Sequence, residues 1–199
     1  MLKILLLISI LFSDTLNQNK IDLLIEHYSK INFFETDFEL VTYLSKKEKF
    51  RNNGVIQVEK SNFKISINDE VYAYLNNKFY TISSTNKELT ILNINNNERI
   101  IDESILFKIN PLIFIKKFKE NNNITFEEEN DKYIIRYISE YEKYNILFEK
   151  NYDLVNIEII YNNSEISNKI FFSQTRNINI NRNIEIDLND YKDYYVNEL

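Results

Sequence analysis

Few residues of this chain are equipped for chemistry. Its single histidine is His27, whereas a zinc site needs several imidazole, thiolate or carboxylate ligands and a general base needs a positioned partner. The 199 residues contain no cysteine, hence no thiolate nucleophile, no disulfide and no sulfur ligand. His27 is therefore read as a structural residue, and no metal or catalytic site is assigned. Glu127, Glu128 and Glu129 form a carboxylate run, and two carboxylates at the right separation suffice for glycoside hydrolysis. Adjacent residues of a strand point to opposite faces, so these three would not converge on one reacting atom; the run is expected in a solvated turn. A single glycine leaves no phosphate-cradling loop of either Gly-rich type. No cofactor and no enzymatic reaction are expected.

A formal net charge of -6 and a pI near 5.0 offer no basic surface for counterion release from a phosphate backbone, so nucleic acid is not expected as a partner. Hydrophobic residues at 44% and charged residues at 27% are ordinary globular values. The length suits one domain with a substantial core.

Met1 to Phe12 carries one basic residue, Lys3, then the apolar run Ile4 to Phe12, followed by polar Ser13, Asp14 and Thr15. A spanning helix needs about 20 apolar residues, so this stretch is read as a secretory signal within residues 1–17, with a core N-terminal helix as the alternative. Residues 18–199 are then one exported domain. Export without a lipidation cysteine implies the periplasm of a double-membraned bacterium, or secretion from a single-membraned one.

Ile21, Leu24, Ile25, Tyr28 and Ile31 recur at helical spacing opposite Asp22, Glu26 and Lys30, which predicts an amphipathic helix of about three turns. From Phe34 the period becomes two, through Thr36, Phe38, Leu40, Thr42 and Leu44. It recurs in Gly54 to Val58, Phe63 to Ile67, Val71 to Leu75 and Leu89 to Ile91, then in Ile124 to Phe126, Tyr133 to Tyr137, Tyr144 to Phe148, Val155 to Tyr161 and Ile170 to Phe172. Asn52-Asn53-Gly54, Asn68-Asp69 and Asn76-Asn77 read as tight turns, because these residues tolerate positive φ. Asn110 and Pro111 open a second expected helix, Leu112 to Lys119, with Leu112, Ile115 and Phe118 on one face. The fold class is mainly β with some helix (α+β): a strongly curved antiparallel sheet or incomplete barrel, covered by a helical lid.

Tyr 14 and Phe 14 amount to more aromatic bulk than a small sheet requires. Two interiors fit the pattern: a filled core, or a hollow apolar face that takes up acyl chains at about 0.8 kcal/mol per buried CH₂.

The order of elements carries a resemblance: export signal, amphipathic helix, then F-E-T-D-F-E from Phe34 to Glu39 and G-V-I-Q-V-E-K-S-N-F-K-I from Gly54 to Ile65. After these come N-N-K-F-Y-T from Asn76 to Thr81 and N-P-L-I-F-I-K-K-F from Asn110 to Phe118. This resembles the LolA family of periplasmic outer-membrane lipoprotein carriers over nearly the whole exported chain. The resemblance implies a cavity that receives the acyl chains of acylated lipoproteins as cargo. It also implies an inner-membrane ABC exporter as donor and an outer-membrane receptor such as LolB as acceptor, with the chain acting as a monomer. On this reading the cavity is lined by Phe34, Phe38, Leu40, Phe63, Ile65, Ile67, Tyr133 and Ile135. Leu24, Tyr28, Leu112, Ile115 and Phe118 would form the lid. The family's lid-holding arginine corresponds here to Lys60, a point charge without the planar fork of Arg. The alternative is an envelope sensor that uses the same fold to recognise a lipid or a protein partner.

Overall fold

A computed structural model describes residues 19–94, 108, 110, 124–173 and 183–199. The expected signal at 1–17 and the expected lid residues Leu112, Ile115 and Phe118 lie outside the described residues. Residues 19–29 form helix α1. Then follow β1 (Phe33–Leu44), β2 (Lys47–Glu59), β3 (Asn62–Ile67), β4 (Glu70–Leu75), β5 (Lys78–Ser83) and β6 (Glu88–Asn93). The second half contributes β7 (Ile124–Glu129), β8 (Lys132–Ile138), β9 (Glu142–Glu149), β10 (Leu154–Tyr161), β11 (Ile166–Phe172) and β12 (Tyr195–Glu198).

These strands form one open, curved sheet in the order β12-β6-β5-β4-β3-β2-β1-β11-β10-β9-β8-β7. Two antiparallel meanders, β1 to β6 and β7 to β11, are joined where β1 pairs with β11, Phe38 opposite Phe172 and Leu44 opposite Ile166. Local alternation explains each meander, because a two-residue period on a half-buried strand selects one face for the core. The turns have a local cause as well. Asn76 and Asn77 both have positive φ, as do Asn130 and Asp131, the backbone that two-residue hairpin loops require.

Three sequence expectations are corrected. Asn52, Asn53 and Gly54 are not a turn but lie within β2; the β1–β2 turn is Ser45-Lys46, both at positive φ. The carboxylate run is not in a turn but ends strand β7, and the turn follows at Asn130-Asp131. Alternation puts Val155 on the core face, yet a bulge between Leu154 and Asn156 places Leu154 opposite Phe148 and Ile157 opposite Ile146, so Leu154 is the buried residue. An extra residue in one strand shifts the parity of everything before it. Val71, Ala73 and Leu75 of β4 share a face as their alternation indicates, and that face is the outer one. Ala73 and Leu75 pack there with Ile184, and Val71 packs near Ile186 and Tyr191. The C-terminal segment 183–199 covers this part of the sheet and supplies β12, which runs parallel to β6 with Val196 opposite Leu89.

Candidate inner-face binding site

Cross-strand partners share a face of the sheet, so the pairing registers sort every strand residue. One face, here the inner one, carries Phe34, Phe38 and Leu40 of β1, Ile56 and Val58 of β2, and Phe63, Ile65 and Ile67 of β3. Across β11 it continues through Ile170, Ile157, Ile146, Ile135 and Phe126. All of these are buried in one cluster together with Ile21, Leu24, Ile25 and Tyr28 of α1. The helix therefore lies on the inner face, its apolar stripe turned into the sheet.

The contacts that hold α1 fall on the β7–β10 side. The Tyr28 hydroxyl donates to the Tyr152 carbonyl at 3.0 Å, and its ring meets Phe148 edge-on at 6.1 Å. Burial pushes the Tyr28 phenol well above its ordinary pKa, and the charge of Asp153 adds to the rise. A hydroxyl in this position stays a donor. Lys20 is paired with Glu128 and stands 5.5 Å from the Phe126 ring and 5.3 Å from that of Tyr133, so the start of the described helix is held by charge and by aromatic faces together.

On the opposite wing the inner face is dressed differently. Tyr74 stacks on Phe63 at 6.0 Å and Tyr72 stacks on Phe79 at 6.5 Å. Tyr72, Tyr74 and Phe79 are only half-buried and extend the apolar cluster outward along β4 and β5. Alternation missed Tyr72 and Tyr74 because β4 is apolar on both faces, and its aliphatic residues point to the other one. A run in which tyrosines interleave with aliphatics, Val71-Tyr72-Ala73-Tyr74-Leu75, was the signal available.

A polar group sits within the same face, near the end of the strands where β10 turns into β11. Lys108 is buried and pairs with Glu142, its ammonium 5.2 Å from the Tyr161 ring. The Tyr144 hydroxyl donates to the same carboxylate. Asn168 donates to the Tyr161 hydroxyl at 3.2 Å and accepts from Thr42 at 2.8 Å. Burial, then the hydrogen bond to Glu142, drives the Tyr144 pKa far up. No sequence signal marked Lys108, since its partner lies 34 residues away.

The expected cavity residues Phe34, Phe38, Leu40, Phe63, Ile65, Ile67, Tyr133 and Ile135 all occupy the inner face, Tyr133 half-buried and the rest buried. Leu24 and Tyr28 face them from α1. Lys60 is an exposed residue of the β2–β3 turn with positive φ. His27 packs its ring against Tyr28 and Tyr152. Glu127 and Glu128 diverge, Glu127 to Arg136 and Glu128 to Lys20 and Lys150. Among the described residues no group of three His, Asp or Glu side chains is arranged to hold a metal ion. Nor is any helix among them long and apolar enough to cross a membrane.

What the geometry defines is an open, mostly antiparallel sheet with a helix on a continuous apolar inner face. No family model matches the chain, and no curated protein matches it by sequence. Among solved structures it is similar to an uncharacterized conserved protein from Thermus thermophilus, with TM-score 0.55 and 6% identity over 92% of this chain and 99% of that one. That likeness concerns the fold alone. Matches with lower TM-scores include the LolA superfamily protein NE2245 from Nitrosomonas europaea, at 0.40 and 8% identity over 82% of this chain and 94% of that one. They also include a putative outer membrane lipoprotein-sorting protein domain from Vibrio parahaemolyticus, at 0.43 and 7% identity over 87% and 95%.

Proposed function

We propose that the chain is a non-enzymatic carrier of the periplasm that takes the acyl chains of lipoproteins onto its inner face and moves them from the inner to the outer membrane. The observation behind this reading is the asymmetry of that face. Its β7–β10 side is occupied by α1, whereas the aromatic strip Tyr72, Tyr74 and Phe79 continues the same apolar surface and stays half-buried. Flat aromatic walls with few polar atoms suit an alkyl chain, whose transfer from water scales with the CH₂ groups covered. The order of motifs from Phe34 to Phe118 that resembles lipoprotein carriers supplies the cargo class. The donor would be an inner-membrane ABC exporter and the acceptor an outer-membrane receptor such as LolB.

Glu127 and Glu128, adjacent on β7, are engaged in ion pairs on opposite faces of the strand, which favours binding over reaction at that run. Native mass spectrometry of the protein purified from envelopes tests the reading, with a bound acylated polypeptide as the expected result. Fluorescent acyl-probe binding supplies the second arm: Phe79→Glu and Tyr74→Glu should each weaken it about tenfold or more, since a charge replaces apolar wall. A chain that carries no acyl mass and whose probe binding ignores both substitutions would not be this carrier.

A further inference from the structure

The β1–β2 hairpin is longer than its neighbours. β3 pairs with β2 only from Gly54 to Glu59, so Lys47, Glu48 and Phe50 to Asn53 pair with β1 alone, Lys49 standing at a bulge, and the tip projects past the β3–β4 turn. Every residue from Leu44 to Arg51 is exposed. Phe50 is 69% exposed, and Leu44, directly opposite Ile166 of β11, is exposed with it. The neighbouring turns at the same end add Ile138 and Tyr141, the latter 71% exposed, its carbonyl accepting from the Asn162 backbone at 2.8 Å. Apolar side chains thus crowd one rim of the sheet.

Charge at this tip runs against that of the whole chain. Lys46, Lys47 and Lys49 precede Phe50 on the same hairpin, and among the described residues none of the three makes an ion pair, while of the nearby carboxylates Glu48 and Glu39 are taken up by Arg51 and Glu165 accepts from the Ser45 hydroxyl. Lysines on a free strand edge are a common guard against edge-to-edge pairing. An exposed Phe beside them works against that purpose. Unpaired cations flanking an exposed aromatic are instead what a peripheral contact with an anionic bilayer uses, the ring entering the interface while the ammonium groups meet lipid phosphates.

We infer that the Leu44–Arg51 hairpin tip is a membrane-docking finger that seats this rim of the sheet on an anionic lipid surface. The inference rests on the carrier reading for its purpose. The polar cluster of Lys108, Glu142, Tyr161 and Asn168 lies at the same end of the sheet, where Tyr161 stands opposite Glu142 and Asn168 opposite Thr42. Docking would therefore place that end of the acyl-binding face beside the lipid it must exchange with. A net charge of -6 on the molecule as a whole limits the contact to the tip and keeps it reversible.

Co-sedimentation of the full chain with phosphatidylglycerol-containing vesicles, and with phosphatidylcholine vesicles alone, tests the finger. Binding should require the anionic lipid and weaken as salt rises. Replacing Lys46, Lys47 and Lys49 together by Gln should lower it roughly 100-fold, and Phe50→Ser about tenfold, with thermal unfolding unchanged because all four side chains are exposed. The chain has no Trp, so Phe50→Trp creates a single indole whose emission should shift to the blue on vesicles. Wild-type protein that ignores anionic vesicles, variants that bind like wild type, or an unshifted indole would each overturn the inference. Acyl-probe binding without vesicles separates the two ideas. If the probe fails to bind while docking behaves as described, the carrier reading falls and the finger stands.

Discussion

The ring of Phe38 lies across Gly54, its partner on the adjacent strand, and leaves no room there for a side chain. A Cβ on Gly54 would stand 2.5 Å from Phe38 Cζ and 2.6 Å from the Ser66 carbonyl oxygen. The one glycine of the chain is thus placed in mid-strand, where an aromatic from β1 covers bare backbone and β3 closes in from the other side. This is the junction where the longest strand pair meets the shorter wing.

Gly54→Ala should destabilise the protein by about 1–3 kcal/mol, the usual cost of overpacking. The measurement is a denaturant midpoint that falls while the slope is unchanged. Combining it with Phe38→Leu should recover only part of the loss, because the Ser66 carbonyl belongs to the backbone and cannot turn aside. A fully tolerated alanine would show that the two strands are further apart than the structure has them.

Lys108 and Glu142 form an ion pair with side-chain exposures of 7% and 16%. Removing one partner leaves the other charge buried, so Lys108→Met or Glu142→Leu should each cost about 3–5 kcal/mol. The double variant Lys108→Met with Glu142→Leu should recover most of that, since a well-packed apolar pair often equals a buried ionic one. Additive losses in the double-mutant cycle would mean that the two groups do not interact.

Tyrosine ionisation should separate folded from unfolded protein. Burial, helped by the Glu70 carboxylate, pushes Tyr72 from 10.0 up to about 12, and Tyr28 and Tyr144 are held higher still by burial. A group whose folded pKa is raised keeps its proton longer in the native state than in the unfolded one. Its contribution to stability is therefore complete below pH 10 or so and is lost as pH climbs through about 12. Phenolate absorbance should rise late in native protein, and stability should decline over that window. A titration in which all the tyrosines ionise together at their ordinary value would contradict the burial assigned to these three.

Local alternation was enough to locate α1 and most of the strands. Hydrophobic periodicity is a property of neighbouring residues, and it records which side of a strand must avoid water. Phe34, Phe38, Phe63, Ile65 and Ile135 fall on one buried face of the sheet, because each of their strands turns a dominant apolar side to the core. Periodicity does not say which side is inner where a strand has two apolar faces. Val71-Tyr72-Ala73-Tyr74-Leu75 is apolar on both faces, and which side is inner depends on the C-terminal segment that covers Val71, Ala73 and Leu75. The bulge at Leu154 defeated it for another reason, since one extra residue reverses parity without changing composition.

What the amino-acid order determined by itself was the class of protein: a sheet-forming chain without thiols, histidine clusters or phosphate loops, rich in aromatic surface and interrupted by turn-forming Asn. Only the tertiary structure decided that β1 joins the two meanders through β11, that β12 returns parallel to β6, and that Lys108 reaches Glu142. It also decided that Phe50 stands in solvent, while Phe38 and Phe63, no different in type, are buried. The physical reason is that burial is collective. A side chain's type states its preference for water or for core, but whether it finds a core depends on strands distant in sequence arriving beside it.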